Sequence, residues 1–416
     1  MRRLSLRMLV AVAALGVAPS AAAQILPTEP MVLGNGRITV GGEMAATYSC
    51  ADDVDSVGRT CGEDTGFFNY TDYERSAVRL FSAALSAAFY AGSRLSLLGE
   101  VRTENFQHTE AYALFARVRP WPERPFDIQV GRIPPTFGAF SRRRYPTDNV
   151  LIGYPLAYQY LTSIRADALP ASADELLRMR GRGWLSNFSV GNRDPANGVP
   201  LISAFRWDTG IQAHTTVGWL DAAVSVTTGT LANPRVSDDN SGKQIAMRVA
   251  VTPSVGLVIG GSAARGPFVG RRALQETNIE AKTGSLTQTA LGADVEYSRG
   301  HYLLRGEVVL SDWRLPVVDL PALELPLRAL SSSVEGRYRL RPGLYVAARL
   351  DHLGFSTIVG TDQTDEWDAP VTRLELGGGY SLLRNVVLKL SYQKNTRDAT
   401  RVSRVHVVAG QVVLWF

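Results

Sequence analysis

Residues 334–356 read VEGRYRLRPGLYVAARLDHLGFS, and the way this stretch alternates decides the fold. Val334, Gly336, Tyr338 and Leu340 alternate with Glu335, Arg337, Arg339 and Arg341, so an extended chain here has one apolar face and one charged face. Arg341-Pro342-Gly343 supplies a tight turn, and a second extended stretch follows. The same period of two recurs outward from this hairpin. Ile245, Met247, Val249 and Val251 alternate with Gln244, Ala246, Arg248 and Ala250. Leu374, Leu376 and Tyr380 alternate with Arg373, Glu375 and Ser381, and Leu388, Leu390 and Tyr392 with Lys389, Ser391 and Gln393. One face of each segment suits hydrocarbon and the other suits water.

Segments of this kind, bounded by turn signals, fall at 36–48, 74–89, 92–106, 109–120, 125–133, 199–216, 219–231, 242–252, 254–265, 287–299, 301–313, 329–341, 343–356, 369–382, 385–397 and 402–416. That is sixteen, an even number, and most exceed the roughly 9–11 residues that a tilted strand needs to cross a bilayer. Loop length is an independent test. Every second connection is short: Tyr90-Ala91-Gly92, Arg119–Arg124, Gly218, Pro253, Arg299-Gly300, Arg341-Pro342-Gly343 and Leu383-Arg384. The others, at 49–73, 134–198, 232–241, 266–286, 314–328 and 357–368, are long, with 107–108 and 398–401 as exceptions. A soluble sandwich has no reason to sort loop lengths by parity. The expected fold class is all-β: a transmembrane antiparallel β-barrel of about sixteen strands, with a long third extracellular loop that folds inward.

Arg2, Arg3 and Arg7 precede the apolar run Met8–Val17, and Ala21-Ala22-Ala23 follows it, as in an export signal over 1–23. The run is shorter than the roughly 20 residues of a membrane helix; a buried N-terminal helix is the competing reading. Residues 24–35, with Pro27 and Pro30, read as a periplasmic lead-in, leaving 36–416 for the barrel. Removing three arginines with the signal lowers the formal charge from +5 to +2, and export argues against a nucleic-acid partner. Mean hydropathy is −0.03, which alone leaves soluble domains open. Cys50 and Cys61 read as one local disulfide, with two free thiols as the alternative. Phe416 shares a face with Leu414, Val412 and Val408, and the chain end resembles the terminal strand of outer-membrane barrels.

Function is expected in loop 134–198, too long for a hairpin and rich in Tyr, Leu and Trp. Ser172 and Glu175 make a capping box that opens a helix over Asp174–Arg180, ended by Gly181. The loop carries Arg142, Arg143, Arg144, Arg165, Arg178, Arg180, Arg182 and Arg193 against Asp148, Asp167, Asp174, Glu175 and Asp194, a balance of +3. Inside a pore that field attracts anions; in water it makes surface ion pairs. Arg79, Arg94, Arg102, Arg117, Arg248, Arg305, Arg337, Arg339, Arg349, Arg373 and Lys389 fall on predicted lumen faces, with Glu100, Glu104, Asp294, Glu296, Glu307, Glu335, Asp351 and Glu375. These charges line a wet channel or pair to plug a narrow one. Tyr145, Tyr154, Tyr158 and Tyr160 crowd the loop, as packing or as a track for aromatic or sugar solutes. Pro316, Pro321 and Pro326 lie in an apolar loop that should pack across the mouth or against another subunit.

The segment Gly131-Arg132-Ile133-Pro134-Pro135-Thr136-Phe137-Gly138 resembles the strand-end motif of the bacterial porin O/P group, the phosphate-selective porins. The resemblance implies a pore with Arg132 and the loop arginines at its constriction, and assembly as a trimer. That group relies on lysine clusters, whereas this chain has only Lys243, Lys282, Lys389 and Lys394. Arginine forks bind phosphate or carboxylate bidentately.

The reading is a passive outer-membrane channel for small hydrophilic solutes, favouring anions such as phosphate or small organic acids, and not an enzyme. Its partners are those solutes, outer-membrane lipid and lipopolysaccharide; no cofactor or metal is called for. Acidic clusters at Asp52, Asp53 and Asp55 and at Asp362, Asp365, Glu366 and Asp368 match no EF-hand and read as solvated loop. One alternative is a plugged structural or adhesion barrel. The other is a barrel hydrolase, for which His108, His214, His301, His352 and His406 show no metal spacing and no nucleophile elbow accompanies them.

Overall fold

The computed structural model describes residues 29–53, 58–61, 78, 80–106, 108–203, 207–238, 242–270, 273, 286–316, 318–323, 326–399 and 404–416. The export signal, Arg79 and most of loops 49–73 and 266–286 lie outside them. Sixteen strands form the barrel: β1 Ile38–Asp53, β2 Phe81–Tyr90, β3 Leu95–Glu104, β4 His108–Val118, β5 Phe126–Ile133, β6 Asp208–Val217, β7 Leu220–Thr227 and β8 Gln244–Ser254. The second half is β9 Leu257–Pro267, β10 Thr287–Arg299, β11 Tyr302–Trp313, β12 Leu327–Arg341, β13 Leu344–Phe355, β14 Val371–Leu383, β15 Val386–Arg397 and β16 Arg404–Trp415. Each pairs antiparallel with its sequence neighbours, β5 and β6 included despite the long loop between them. The ring closes where β1 meets β16, from Glu43↔Trp415 to Asp53↔Val405.

Alternation assigns the faces. Val334 and Leu350 stand opposite each other, 62% and 54% exposed, while the adjacent pair Glu335 and Arg349 is buried inside. Phe89, Tyr90, Trp121, Trp219, Tyr302, Tyr338 and Tyr380 are exposed at or near the short-turn ends of the strands. They form the aromatic girdle that marks one membrane–water interface. The short turns need little sequence. In the β8–β9 turn Gly256 has φ +84°, and a Cβ there would lie 2.0 Å from the Ser298 carbonyl oxygen.

Cys50 and Cys61 face each other and are disulfide-bonded, tying a short strand Gly58–Cys61 to β1. At the other end of β1, Met31–Leu33 of the predicted lead-in pairs with Ile38–Val40 as a further short strand. Phe416 exchanges backbone hydrogen bonds of 2.9 and 3.0 Å with Gly42, and a Cβ on Gly42 would sit 2.5 Å from the Phe416 ring.

One boundary is corrected. The strand expected over 199–216 starts at Asp208, and 199–203 belong to the third loop. Leu201 and Ile202 are apolar because they are buried in that loop's core, where Ile202 N donates to Ala157 O. The same apolar residue types would suit a membrane strand. A test of the lipid face is Leu350→Arg. At mid-strand it should cost about 2–4 kcal/mol of folding free energy in lipid vesicles, measured by urea titration.

Candidate functional site: the lumen and the loop within it

The third loop, residues 134–207, starts just beyond a glycine that only a close backbone approach explains. Gly131 has φ +127°, and a Cβ there would meet the Leu114 carbonyl oxygen at 2.4 Å, so no side chain fits. The Pro134-Pro135 pair then keeps the chain extended. Its path follows the wall by hydrogen bonds from inward-facing side chains. Thr136 Oγ1 donates to Ser225 Oγ on β7 (2.8 Å), and Gly138 N to Ser262 Oγ on β9 (3.1 Å). Ala139 N donates to Glu307 on β11 (2.8 Å). Arg143 then pairs with Glu296 of β10 at 2.5 Å, while Tyr145 donates to Glu100 of β3 at 2.8 Å, on the facing wall. The chain therefore crosses the interior between residues 143 and 145.

It returns along the opposite side. Lys389 of β15 donates to the carbonyls of Pro146 and Asn149, Tyr345 of β13 to Val150 O (3.0 Å), and Gly153 N to Glu375 of β14 (2.9 Å). Arg373 of β14 donates to Tyr154 O and Gln159 Oε1, both at 3.1 Å. A Cβ on Gly153 would lie 2.3 Å from Gln393 Nε2 and 2.6 Å from Glu375 Oε2, so a side chain there would push both from their places. Tyr158 donates to Glu307 at 2.8 Å; burial and that carboxylate push its phenol well above the ordinary tyrosine range, keeping it a donor.

Beneath this segment lies a charged network shut off from water. Arg349 reaches Glu375 at 2.5 Å, Asp351 at 3.1 Å and Glu335 at 3.3 Å, and Arg373 donates to Asn395 at 2.6 Å. Elsewhere on the wall Arg102 pairs with Glu100, Arg117 with Asp127 (3.7 Å), Arg248 with Asp294 (2.8 Å), and Arg305 with Glu296 (2.9 Å) and Glu335 (3.2 Å). The predicted lumen positions Arg102, Arg117, Arg248, Arg305, Arg337, Arg349, Arg373, Glu100, Glu307 and Glu375 thus share the inner face. Among the described residues no carboxylate lies within 4 Å of Arg337, whose guanidinium sits 5.8 Å from the Tyr345 ring.

The loop arginines divide differently, and the expectation of an eyelet built from them is corrected. The side chain of Arg142 lies outside the described residues. Arg143 alone of the others keeps a partly open guanidinium against the barrel wall. Arg132 stands opposite the outward Leu114 and donates to carbonyls of Ala111 and Trp207. Arg144 stacks on Tyr112, 3.6 Å from its centroid. Arg165 is fully buried, bonded to Asp167 at 2.7 and 2.9 Å and to the carbonyls of Ser186 and Asp194. Arg178 pairs with Glu175, Arg180 with Asp398 and Glu366, and Arg182 is exposed on the same outer portion. A residue that folds a loop and one that charges a pore look alike in sequence.

The loop's outer half is a small core of its own. Helix Ala173–Arg178 starts at Ser172, whose Oγ accepts from Glu175 N at 3.3 Å; Glu175 accepts from Ala171 N at 2.6 Å, and Gly181 has φ +68°. The loop 314–326 packs on this helix, with Pro321 O accepting from Ala173 N. Asp368, expected to be solvated, is fully buried and accepts from the backbone N–H groups of Ser163, Gly181 and Ala369 at 2.6–2.8 Å. Burial nonetheless pushes its carboxyl up. Nothing in its local sequence marks it, since Ser163 and Gly181 lie far away in the chain. Cutting the buried network is a direct test. Arg349→Gln removes the cation that Asp351, Glu375 and Glu335 share, leaving Glu335 with Arg305, and should cost about 3–5 kcal/mol, with faster tryptic cleavage of the loop in the refolded barrel.

Comparisons agree on the architecture. No family model and no curated protein matches this sequence. Among solved structures, the anion-selective porin from Comamonas acidovorans aligns over 91% of this chain and 99% of its own, with TM-score 0.57 at 10% identity. OmpT, an outer-membrane protein of Vibrio cholerae, aligns over 92% and 99%, TM-score 0.54, 13% identity. OmpF of Salmonella typhi aligns over 93% and 100%, TM-score 0.53, 11% identity. At such identities the likeness is one of fold: this chain is built as a closed sixteen-stranded antiparallel barrel, like these outer-membrane proteins.

Proposed function

We propose that the protein is an outer-membrane porin, a passive channel for small hydrophilic solutes that favours anions. The observation that carries this reading is the third loop laid along the inner wall, which leaves Arg143 and Arg305 partly open in a lumen lined by ionised groups. Hydrocarbon does not tolerate such an interior and water does. Three of its guanidiniums, Arg143, Arg305 and Arg337, lie in one sector around β10–β12, and Arg339 is exposed at the inner end of β12. The same sector holds Asp294, Glu296, Glu307 and Glu335; Asp294 is taken by Arg248 and Glu307 by Tyr158 and Ala139 N of the loop, so Glu296 and Glu335 are the carboxylates that face these guanidiniums, and the reading takes the arginines to set the sign of the field. Catalysis is not part of this reading.

In the motif 131–138, Gly131 serves a close backbone approach and Pro134-Pro135 an extended entry into the lumen, so these residue types follow from backbone geometry. It therefore adds nothing for phosphate over another small anion. Trimer assembly and contact with lipopolysaccharide accompany the porin reading as proposals; one solved structure of Vibrio cholerae OmpT is a trimer form.

The complete burial of Arg349, Asp351 and Glu375 beneath the loop favours a second reading, a barrel whose lumen the loop closes. Refolding into a planar bilayer under a salt gradient separates the two. The porin reading expects stepwise openings with a reversal potential of anion-selective sign. It also expects Arg143→Gln/Arg305→Gln/Arg337→Gln to reduce the anion-over-cation permeability ratio several-fold without abolishing conductance. A folded barrel that never conducts supports the closed one.

A further inference from the structure

On the wall segment β4–β7 a second cluster faces the lumen, away from the loop's arginine sector. His214 of β6 stands in register opposite Asp127 of β5, and Thr216 opposite Asp221 of β7. The imidazole Nε2 is 2.8 Å from Asp221 Oδ2, and Nδ1 is 3.5 Å from Asp127 Oδ2. Arg117 of β4 approaches Asp127 at 3.7 Å; Gln129 donates to Asp127 at 2.8 Å, and Thr216 to Asp221 at 3.0 Å. Further along the sheet, Arg248 of β8 is taken by Asp294 of β10. The side chains of Arg117, His214 and Asp221 are each 24–35% exposed, so lumen water reaches this group.

The other histidines with described side chains lie off the lumen face. His301 is exposed in a short turn, where its ring meets Arg339 O. His352 bonds Thr372 and His406 meets Tyr392, both at exposed positions of the outer surface. Histidine is the side chain whose unperturbed titration falls between about pH 5 and 8. With His214 protonated, two cations face two carboxylates and the cluster is neutral. With it neutral, the cluster loses one of those cations and is one unit more negative.

We propose that His214 is a selectivity-determining residue, a titratable charge that makes the channel less favourable to anions as pH rises. This rests on the porin reading above, and the two fail differently. The experiment is the reversal potential of single channels under a potassium chloride gradient, from about pH 5.5 to about pH 8.5, for the wild type, His214→Gln and His214→Lys. One charge at a lumen wall, partly screened, should change the anion-over-cation permeability ratio about twofold. The wild type should show that fall. His214→Gln should be flat at the wild type's high-pH value and His214→Lys flat at its low-pH value. Should one variant not fold, the other with the wild type decides. A flat wild-type response, or variants that keep the wild-type response, overturns the inference and leaves the porin standing. Absence of conductance at every pH overturns both.

Discussion

A peptide N–H in hydrocarbon has no water to bond, so a sheet that crosses a membrane must close on itself. Here closure depends on β1 and β16, whose pairing ends in the two hydrogen bonds between Gly42 and Phe416. Once the ring is closed, other features follow. A strand period of two turns one residue outward and the next inward, so alternation in sequence becomes a lipid face and a lumen face. Strands that run up and down the same bilayer separate their connections into two sets, and one set is free to grow. The longest member of that set, 134–207, turns inward.

What holds the loop inside is a division of labour between apolar and polar contacts. Phe137, Leu156, Tyr158, Ile164, Leu176 and Phe188 are buried and bring the loop its hydrophobic stabilisation. That term is non-directional and does not choose a position along the wall. Position is chosen by the side chains of Glu307, Glu375, Arg373 and Lys389, each meeting a particular backbone group of residues 139–154. Desolvating Arg349 costs free energy, which three carboxylates offset; replaced as a unit by apolar residues, the network need not lose stability. Its effect is on specificity. The wall and the loop share one set of hydrogen bonds, and any other seating of the loop strands charges.

Much of this was legible in the sequence, and the division has a physical cause. Alternation is local, so the strand sequence 334–356 could be read directly, as could the capping pair Ser172 and Glu175. The close approach at Gly131 and the seat of Gly153 depend on atoms brought close only by folding, Leu114 O and the side chains of Gln393 and Glu375. The roles of Asp368 and His214 were hidden for the same reason. Residues 199–203 misled because an apolar loop core and a membrane strand draw on the same residue types. The loop arginines misled most, since a formal charge says nothing about whether a carboxylate or a carbonyl will occupy it.

That last point bears on how a pore gets its sign. Summed along the sequence, loop 134–198 carries +3, and the natural inference is a cationic loop. In the fold Arg165 and Arg180 are engaged by Asp167, Asp398 and backbone carbonyls, and Arg144 lies on a tyrosine face. A charge paired at hydrogen-bond distance presents a dipole to a passing ion, whose field falls off faster than that of a monopole. The field in the lumen is then set by the few groups that are both open to water and incompletely balanced. On one wall these are Arg337 and the pair Arg143 and Arg305, which share Glu296; on another, the group of Arg117, Asp127, His214 and Asp221. The second is the smaller in net charge, but it alone contains a group that changes charge near neutral pH. Composition therefore constrains the sign of such a channel weakly, and the pairing pattern constrains it strongly.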